Sequence, residues 1–287
     1  MIVSRTARRL SAAGVATAFA AAGLVGASST AANAAFEATS TYTCNVLGTP
    51  VDMPLTASVP ILPPTANAGT TLPANLLAVT TTLTIPSGVA SQLATAGVTG
   101  GTVSDFGMLI GDQGSAPAPL TVTSLTPNQD GSVVAAASGK NSVFTLPKAG
   151  TYDITLPKAF SFVPSSDAGP LPFPVSCTTA APSKLSSVRL DKNASTTTAK
   201  APAKVRKGTA AKVTTTVASL NDGTKVPTGK VVAKLGSKTV GTGTLSAGKA
   251  VLKLAKLPLG KDKVVLKYAG DAYTAASKAT SVIKVVR

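Results

Sequence analysis

Three short runs in the C-terminal third of the chain repeat one pattern, and that pattern excludes most folds. In Lys230–Leu235, Val231, Ala233 and Leu235 share one parity, and Lys230, Val232 and Lys234 share the other. In Lys249–Leu254, Ala250, Leu252 and Leu254 oppose Lys249, Val251 and Lys253. In Lys263–Tyr268, Val264, Leu266 and Tyr268 oppose Lys263, Val265 and Lys267. Alternation with period two marks a strand buried on one face. On a helix the same lysines would scatter around the cylinder. Glycine- and proline-rich turns separate the runs, as in a β-sandwich.

The 287 residues suffice for two domains. With no Trp and few other aromatics, the cores must be built mostly from Val, Leu, Ile and Ala. The net charge of +16 is unevenly spread. Residues 35–183 carry three Lys against seven acids, whereas residues 184–287 carry 21 Lys and Arg against four Asp. So sharp a step marks a domain boundary.

At the amino terminus, Arg5, Arg8 and Arg9 precede an apolar run from Ala12 to Gly26, and Ala32-Asn33-Ala34 forms an A-x-A site. This predicts a secretory signal peptide over residues 1–34, cleaved between Ala34 and Ala35. The run is too short and alanine-rich to span a bilayer, so no membrane anchor is expected after cleavage. The mature chain is expected to be secreted, extracellular or cell-wall associated.

Cys44 and Cys177 are the only cysteines. Export permits a disulfide, and two cysteines have one intramolecular pairing. The bond would join a first strand, Thr41–Val46, to a last one, Pro174–Thr178. Between them, Val51–Val59, Val79–Ile85, Leu120–Leu125, Ser142–Leu146, Thr151–Leu156 and Ala159–Val163 read as strands. Ser87–Ala96, after Pro86, reads as one short helix with Ser87 as its cap. Residues 35–181 are therefore expected to be a disulfide-closed β-sandwich domain. The order of Tyr42-Thr43-Cys44, proline-bounded Val/Thr strands, Ala149-Gly150-Thr151 and Phe173 to Cys177 resembles a secreted actinobacterial domain of unknown function. That resemblance implies a fold and a compartment and brings no activity.

Thr178–Asn193 is polar, and residues 182–194 read as a linker, with Ser186–Leu190 able to form an extra strand instead. Residues 195–287 follow as a Lys-rich domain. Ser195–Lys200, Val213–Val217 and Ser281–Val286 complete its strand set, with a turn at Asn221-Asp222-Gly223. Pro227-Thr228-Gly229-Lys230-Val231, the glycine and leucine spacing from Gly241 to Leu252, and Tyr268-Ala269-Gly270-Asp271-Ala272-Tyr273 closely resemble the bacterial immunoglobulin-like repeat. The resemblance implies a sandwich of about seven strands. The whole chain is thus expected to be all-β, with two β-sandwich domains, the second immunoglobulin-like.

The residue types for most catalysis are missing or misplaced. Without His, Ser-His-Asp and Cys-His arrangements and clustered Cys/His zinc sites are excluded. Ser246-Ala247-Gly248-Lys249 has the S-x-x-K spacing of penicillin-binding enzymes, but Ala247-Gly248 reads as a turn between strands rather than the start of a helix. Leu146-Pro147-Lys148-Ala149-Gly150 has sortase-signal character but no hydrophobic tail after it. Glu37 is the sole Glu, and Asp105, Asp112, Asp130 and Asp167 read as loop residues, so a facing carboxylate pair is not expected. Gly241-Thr242-Gly243 lacks the helix a phosphate loop needs. No catalytic, cofactor or metal residues are expected.

What remains is charge. Residues 195–287 hold 18 Lys and Arg against three Asp. Lys234, Lys253, Lys263 and Lys267 fall at outward strand positions and are the candidate polyanion-binding residues. The expected partner is an anionic cell-wall polymer or another extracellular polyanion, bound electrostatically. The alternative is an adhesin or spacer holding a protein partner, and a hydrolase in the first domain is the remote one.

Overall fold

The computed structural model describes residues 35–221 and 225–287. The signal peptide expected over 1–34, with Ala34 of its cleavage site, lies outside the described residues, as does Asp222-Gly223 of the expected turn. In chain order the first part forms β1 (Phe36–Val46), β2 (Thr49–Val59), β3 (Thr65–Asn67), β4 (Thr71–Leu72) and β5 (Ala78–Ile85), then helix α1 (Ser87–Thr95). It continues with β6 (Gly100–Val103), β7 (Gly107–Ile110), β8 (Ser115–Pro117), β9 (Leu120–Pro127) and β10 (Val133–Lys140). β11 (Phe144–Thr145), β12 (Gly150–Thr155), β13 (Ala159–Ser166), β14 (Gly169–Pro170), β15 (Val175–Thr178) and β16 (Lys184–Asp191) complete it.

Eight of these strands close into a ring, in the order β13-β15-β1-β2-β5-β10-β9-β6 and back to β13. The closing ladder pairs Phe162 with Val103 and Ser165 with Gly100. Alternation decides what points inward: Ala38, Ser40, Tyr42, Cys44 and Val46 of β1 are all buried, with exposed residues between them. The facing layers expected of a sandwich are here opposite walls of one sheet. Ring closure leaves the barrel no free edge. Cys44 and Cys177 stand directly across from each other in the β1–β15 ladder and form the expected disulfide, with both residues buried.

The helix forms where expected, but Pro86 rather than Ser87 is its N-cap, and no side chain caps it. Ser87 is already helical, and its carbonyl accepts a hydrogen bond from the Ser91 hydroxyl. Val89, Ala90 and Leu93 are the residues α1 buries.

A second sheet, in the order β3-β16-β12-β7-β8, carries Met108, Ile110, Ile154, Val188 and Leu190 into the same core. This corrects the expected linker at 182–194. Residues 184–191 are a strand, β16, paired with β12 on one side and β3 on the other, with Leu185, Val188 and Leu190 buried. The register slips between Ile154 and Thr155 of β12, which face Ser186 and Lys184, so Leu185 is left over. The alternative reading of Ser186–Leu190 as an extra strand falls inside β16, and the bulge at Leu185 interrupts the period-two pattern only at the start of that strand.

The C-terminal part forms β17 (Ser195–Lys200), β18 (Lys204–Arg206), β19 (Ala211–Ser219), β20 (Lys230–Leu235), β21 (Lys238–Thr244), β22 (Lys249–Leu254), β23 (Gly260–Tyr268) and β24 (Ser277–Val286). They make a sandwich of two sheets, β17-β19-β22 and β18-β24-β23-β20-β21. Val213, Val217, Val231, Ala233, Leu252, Leu254, Val264, Leu266 and Tyr268 fill the space between the sheets, on the parities that the alternation assigns. No helix among the described residues is long and apolar enough to cross a membrane.

Candidate functional site

Outward parity puts the lysines on the sandwich faces, but not all on one. Lys234 of β20 and Lys263 and Lys267 of β23 belong to the five-stranded sheet, whereas Lys253 of β22 belongs to the three-stranded one. The four expected residues are therefore divided between the two outer faces. Lys253, Lys263 and Lys267 are exposed and Lys234 is half-buried.

The five-stranded face gathers lysines that the sequence reading did not single out. Lys261 on β23 pairs with Lys284 on β24, and Lys284 pairs in turn with Lys204 on β18, so three lysines form one row across three strands. Lys267 stands opposite Lys278 in the same ladder. Lys230 and Lys234 extend the patch onto β20. Neighbouring strands lie about 4.8 Å apart, and the six residue steps from Lys261 to Lys267 span roughly 20 Å. Eight lysines thus share a face about 20 Å long. Like charges directly opposite on a sheet repel, by under ~1 kcal/mol per pair in a water-like dielectric. The three-stranded face repeats the motif on a smaller scale, with Lys212 opposite Lys253 and Lys249 nearby.

No acid on these faces offsets the charge among the described residues. The two ion pairs among them, Lys184 with Asp153 and Arg189 with Asp191, lie outside the sandwich. Asp262 faces inward, 6% exposed, and its Oδ2 has no hydrogen-bond partner. Burial pushes its carboxyl pKa up.

Asp271 is committed to a turn. Its carboxylate accepts hydrogen bonds from the backbone N–H and hydroxyl of Thr228 and from the backbone N–H groups of Tyr273 and Thr274. Burial alone would raise its pKa, but these donors together outweigh burial and hold the carboxyl below its ordinary value. The same turn docks on the first domain. The Ala149 N–H donates to the Ala272 carbonyl, and Tyr273 packs against the first domain's core. Buried Asn193 donates from its side chain to the carbonyls of Ala68 and Tyr273 and accepts from Asn221. The lysine faces are thereby held in fixed relation to the barrel.

The other sequence-level candidates resolve into turns. Ser246 and Lys249 exchange backbone hydrogen bonds across Ala247 and Gly248, both with positive φ, which is a tight hairpin. Asp105 accepts from the Ser161 N–H, Asp130 from the Ser132 N–H and hydroxyl, and Asp167 from the Thr99 hydroxyl. Among the described residues, no three His, Cys, Asp or Glu come together.

Residues 41–186 match the profile of a family of unknown function (DUF6801), and residues 195–287 match that of the bacterial Ig-like domain (group 3). No curated protein matches the chain significantly. Among solved structures, a Corynebacterium diphtheriae protein described as membrane anchored aligns at 15% identity and TM-score 0.39, over 87% of this chain and 59% of that one. Fibronectin(III)-like modules of Clostridium thermocellum CbhA align at 15% identity and TM-score 0.27, over 80% and 92%. The Yersinia pseudotuberculosis adhesin InvE aligns at 17% identity and TM-score 0.31, over 76% and 55%. The chain thus spans little more than half the length of the first and third.

Proposed function

Over residues 41–186 the chain belongs to the DUF6801 family of unknown function, and it ends in a bacterial Ig-like domain; from that premise we propose a non-catalytic extracellular protein that holds linear phosphodiester polymers of the cell wall on its lysine-covered sheet. The observation that carries this reading is the in-register set Lys204–Lys284–Lys261 and Lys267–Lys278, with no facing acid among the described residues. A phosphate chain laid along β23 relieves the repulsion between these lysines and releases its own counterions. Lys, with its compact and mobile charge, suits a site that reads charge density rather than geometry. The Cys44–Cys177 bond supports an oxidising, extracellular compartment.

The test is binding of the chain to teichoic acid, with duplex DNA as a second phosphodiester, between about 50 and 200 mM salt. Affinity is expected to fall steeply over that range. Charge reversal at Lys261, Lys267, Lys278 and Lys284 is expected to abolish it, while reversal at Lys212, Lys249 and Lys253 leaves most of it. Binding that ignores salt, or equal loss from both sets, overturns the reading.

A further inference from the structure

We propose that the barrel of the first domain binds one unbranched hydrocarbon tail, entering beneath α1. Two apolar spaces lie at this end of the barrel. A cleft of about 180 Å³ opens between Ala90 and Ala94 of α1 and the barrel rim at Leu125, Pro127 and Val133. Behind it, inside the ring, is a void of about 50 Å³. Ile85, Leu93 and Phe162 line both spaces and form the partition between them.

The lining decides the chemistry of the occupant. Thr81 is the only side chain with a polar atom capable of strong hydrogen bonding around the void, and the cleft has none. Water needs several polar partners to settle in a cavity, so both spaces favour apolar contents. A peptide would bury amides with nothing to pair them, because the strands there are already paired in the closed ring. A sugar would bury hydroxyls at the same disadvantage. No charged side chain lines either space, so a headgroup stays outside, beside the turn in which Asn128, Asp130 and Ser132 bond to one another. An alkyl tail asks for no hydrogen bond. Eight-stranded barrels have an interior just wide enough for side chains or one small ligand, and an apolar cavity of about 150 Å³ suffices to hold benzene.

Phe162 is placed to admit the tail. Its ring occupies the space in front of Gly101, where a Cβ would come within 2.3 Å of Cε2. The ring is only half-buried, with the cleft on one side and the void on the other. On this proposal a rotation of the ring would connect the two spaces that it lines.

The experiment titrates the full disulfide-bonded chain with uncharged 1-alkanols from hexanol to decanol, by calorimetry. We expect saturable binding of one alcohol per chain, tightening roughly fourfold per added methylene until the space is filled. Ala94→Trp and Pro127→Trp, both at exposed rim positions, should each weaken decanol binding at least tenfold with an unchanged melting temperature. The lysine charge reversals should leave it unaltered, which keeps this result separate from polymer binding. Absence of saturable binding, affinity indifferent to chain length, or a folded rim variant that binds decanol as well as the parent overturns the proposal. The length series on the parent chain decides the matter even if both rim variants misfold.

Discussion

The ring of Tyr273, in the C-terminal domain, fills the space that a side chain on Gly69, in the N-terminal domain, would need. A Cβ built on Gly69 comes within 2.9 Å of Tyr273 Cδ1. Lys225 covers the ring from another side, its Nζ 4.5 Å from the centroid. The second tyrosine of the Y-x-G-D-x-Y motif is therefore an interdomain wedge. Gly69 also has φ +72°, so any larger residue is disfavoured twice.

Gly69→Val should open this seam. Calorimetry is expected to resolve two unfolding transitions in the variant and one in the parent. Small-angle scattering should show a larger radius of gyration. A single transition at the parent temperature would mean the seam does not couple the domains.

Gly270→Val should destabilise the chain by at least ~2 kcal/mol, because the position needs positive φ. Gly270 has φ +87°, and a Cβ there would meet the Thr274 carbonyl oxygen at 2.7 Å. That corresponds to a fall of roughly 4–8 °C in melting temperature. An unchanged melting temperature would contradict the turn geometry.

The two buried-side aspartates of the sandwich should respond to acid with opposite sign. The folded pKa of Asp271 is lowered, so its contribution is complete above the ordinary carboxyl pKa and is lost as pH falls through the folded value. Asp271→Asn should reduce stability at neutral pH and flatten the loss on acidification. The folded pKa of Asp262 is raised by burial, so its charge opposes folding above that pKa and the penalty disappears as pH falls. Asp262→Asn should raise the melting temperature at pH 7 and leave it unchanged well below pH 4. Melting curves of both variants from pH 3 to 7 check the pair of signs.

Removing the disulfide as Cys44→Ala with Cys177→Ala should cost roughly 5 kcal/mol on the chain-entropy treatment, given its long loop. The unreduced chain should weigh two hydrogens less than the reduced one. Equal melting temperatures with and without reductant would refute the contribution.

Alternation made most of the strands legible. β17, β20 and β22 have the bounds read from the sequence, and Val213, Thr215 and Val217 face inward as their parity requires. Parity tells in from out, but it does not tell one sheet from another, so the sequence alone does not separate Lys253 from the lysines of the opposite face. The same rule carried two residues further back from Val264 reaches Asp262 and places it in the core, against the usual preference of a carboxylate. β10 is not legible from alternation because its inward residues, Ala135 and Ala137, have the same hydropathy as Ala136 between them. Closure of the barrel rests on β6 meeting β13 some sixty residues later, and nothing local encodes a pairing at that range. The wedge at Tyr273 depends on a partner in another domain and was equally out of reach.

The disulfide also determines how the protein bears tension. Cys44 and Cys177 are 133 positions apart in the chain yet adjacent in the barrel wall. A pull applied between Phe36 and Arg287 enters along β1, crosses the sulfur bridge and continues from Cys177 toward the C-terminal sandwich. The residues between the two cysteines bear none of the load once the barrel is breached. At about 3.3 Å per residue, more than ~400 Å of contour is withheld from stretching. Under force the chain acts as a short tether with a locked bead in its length, and only a reductant can release the stored slack.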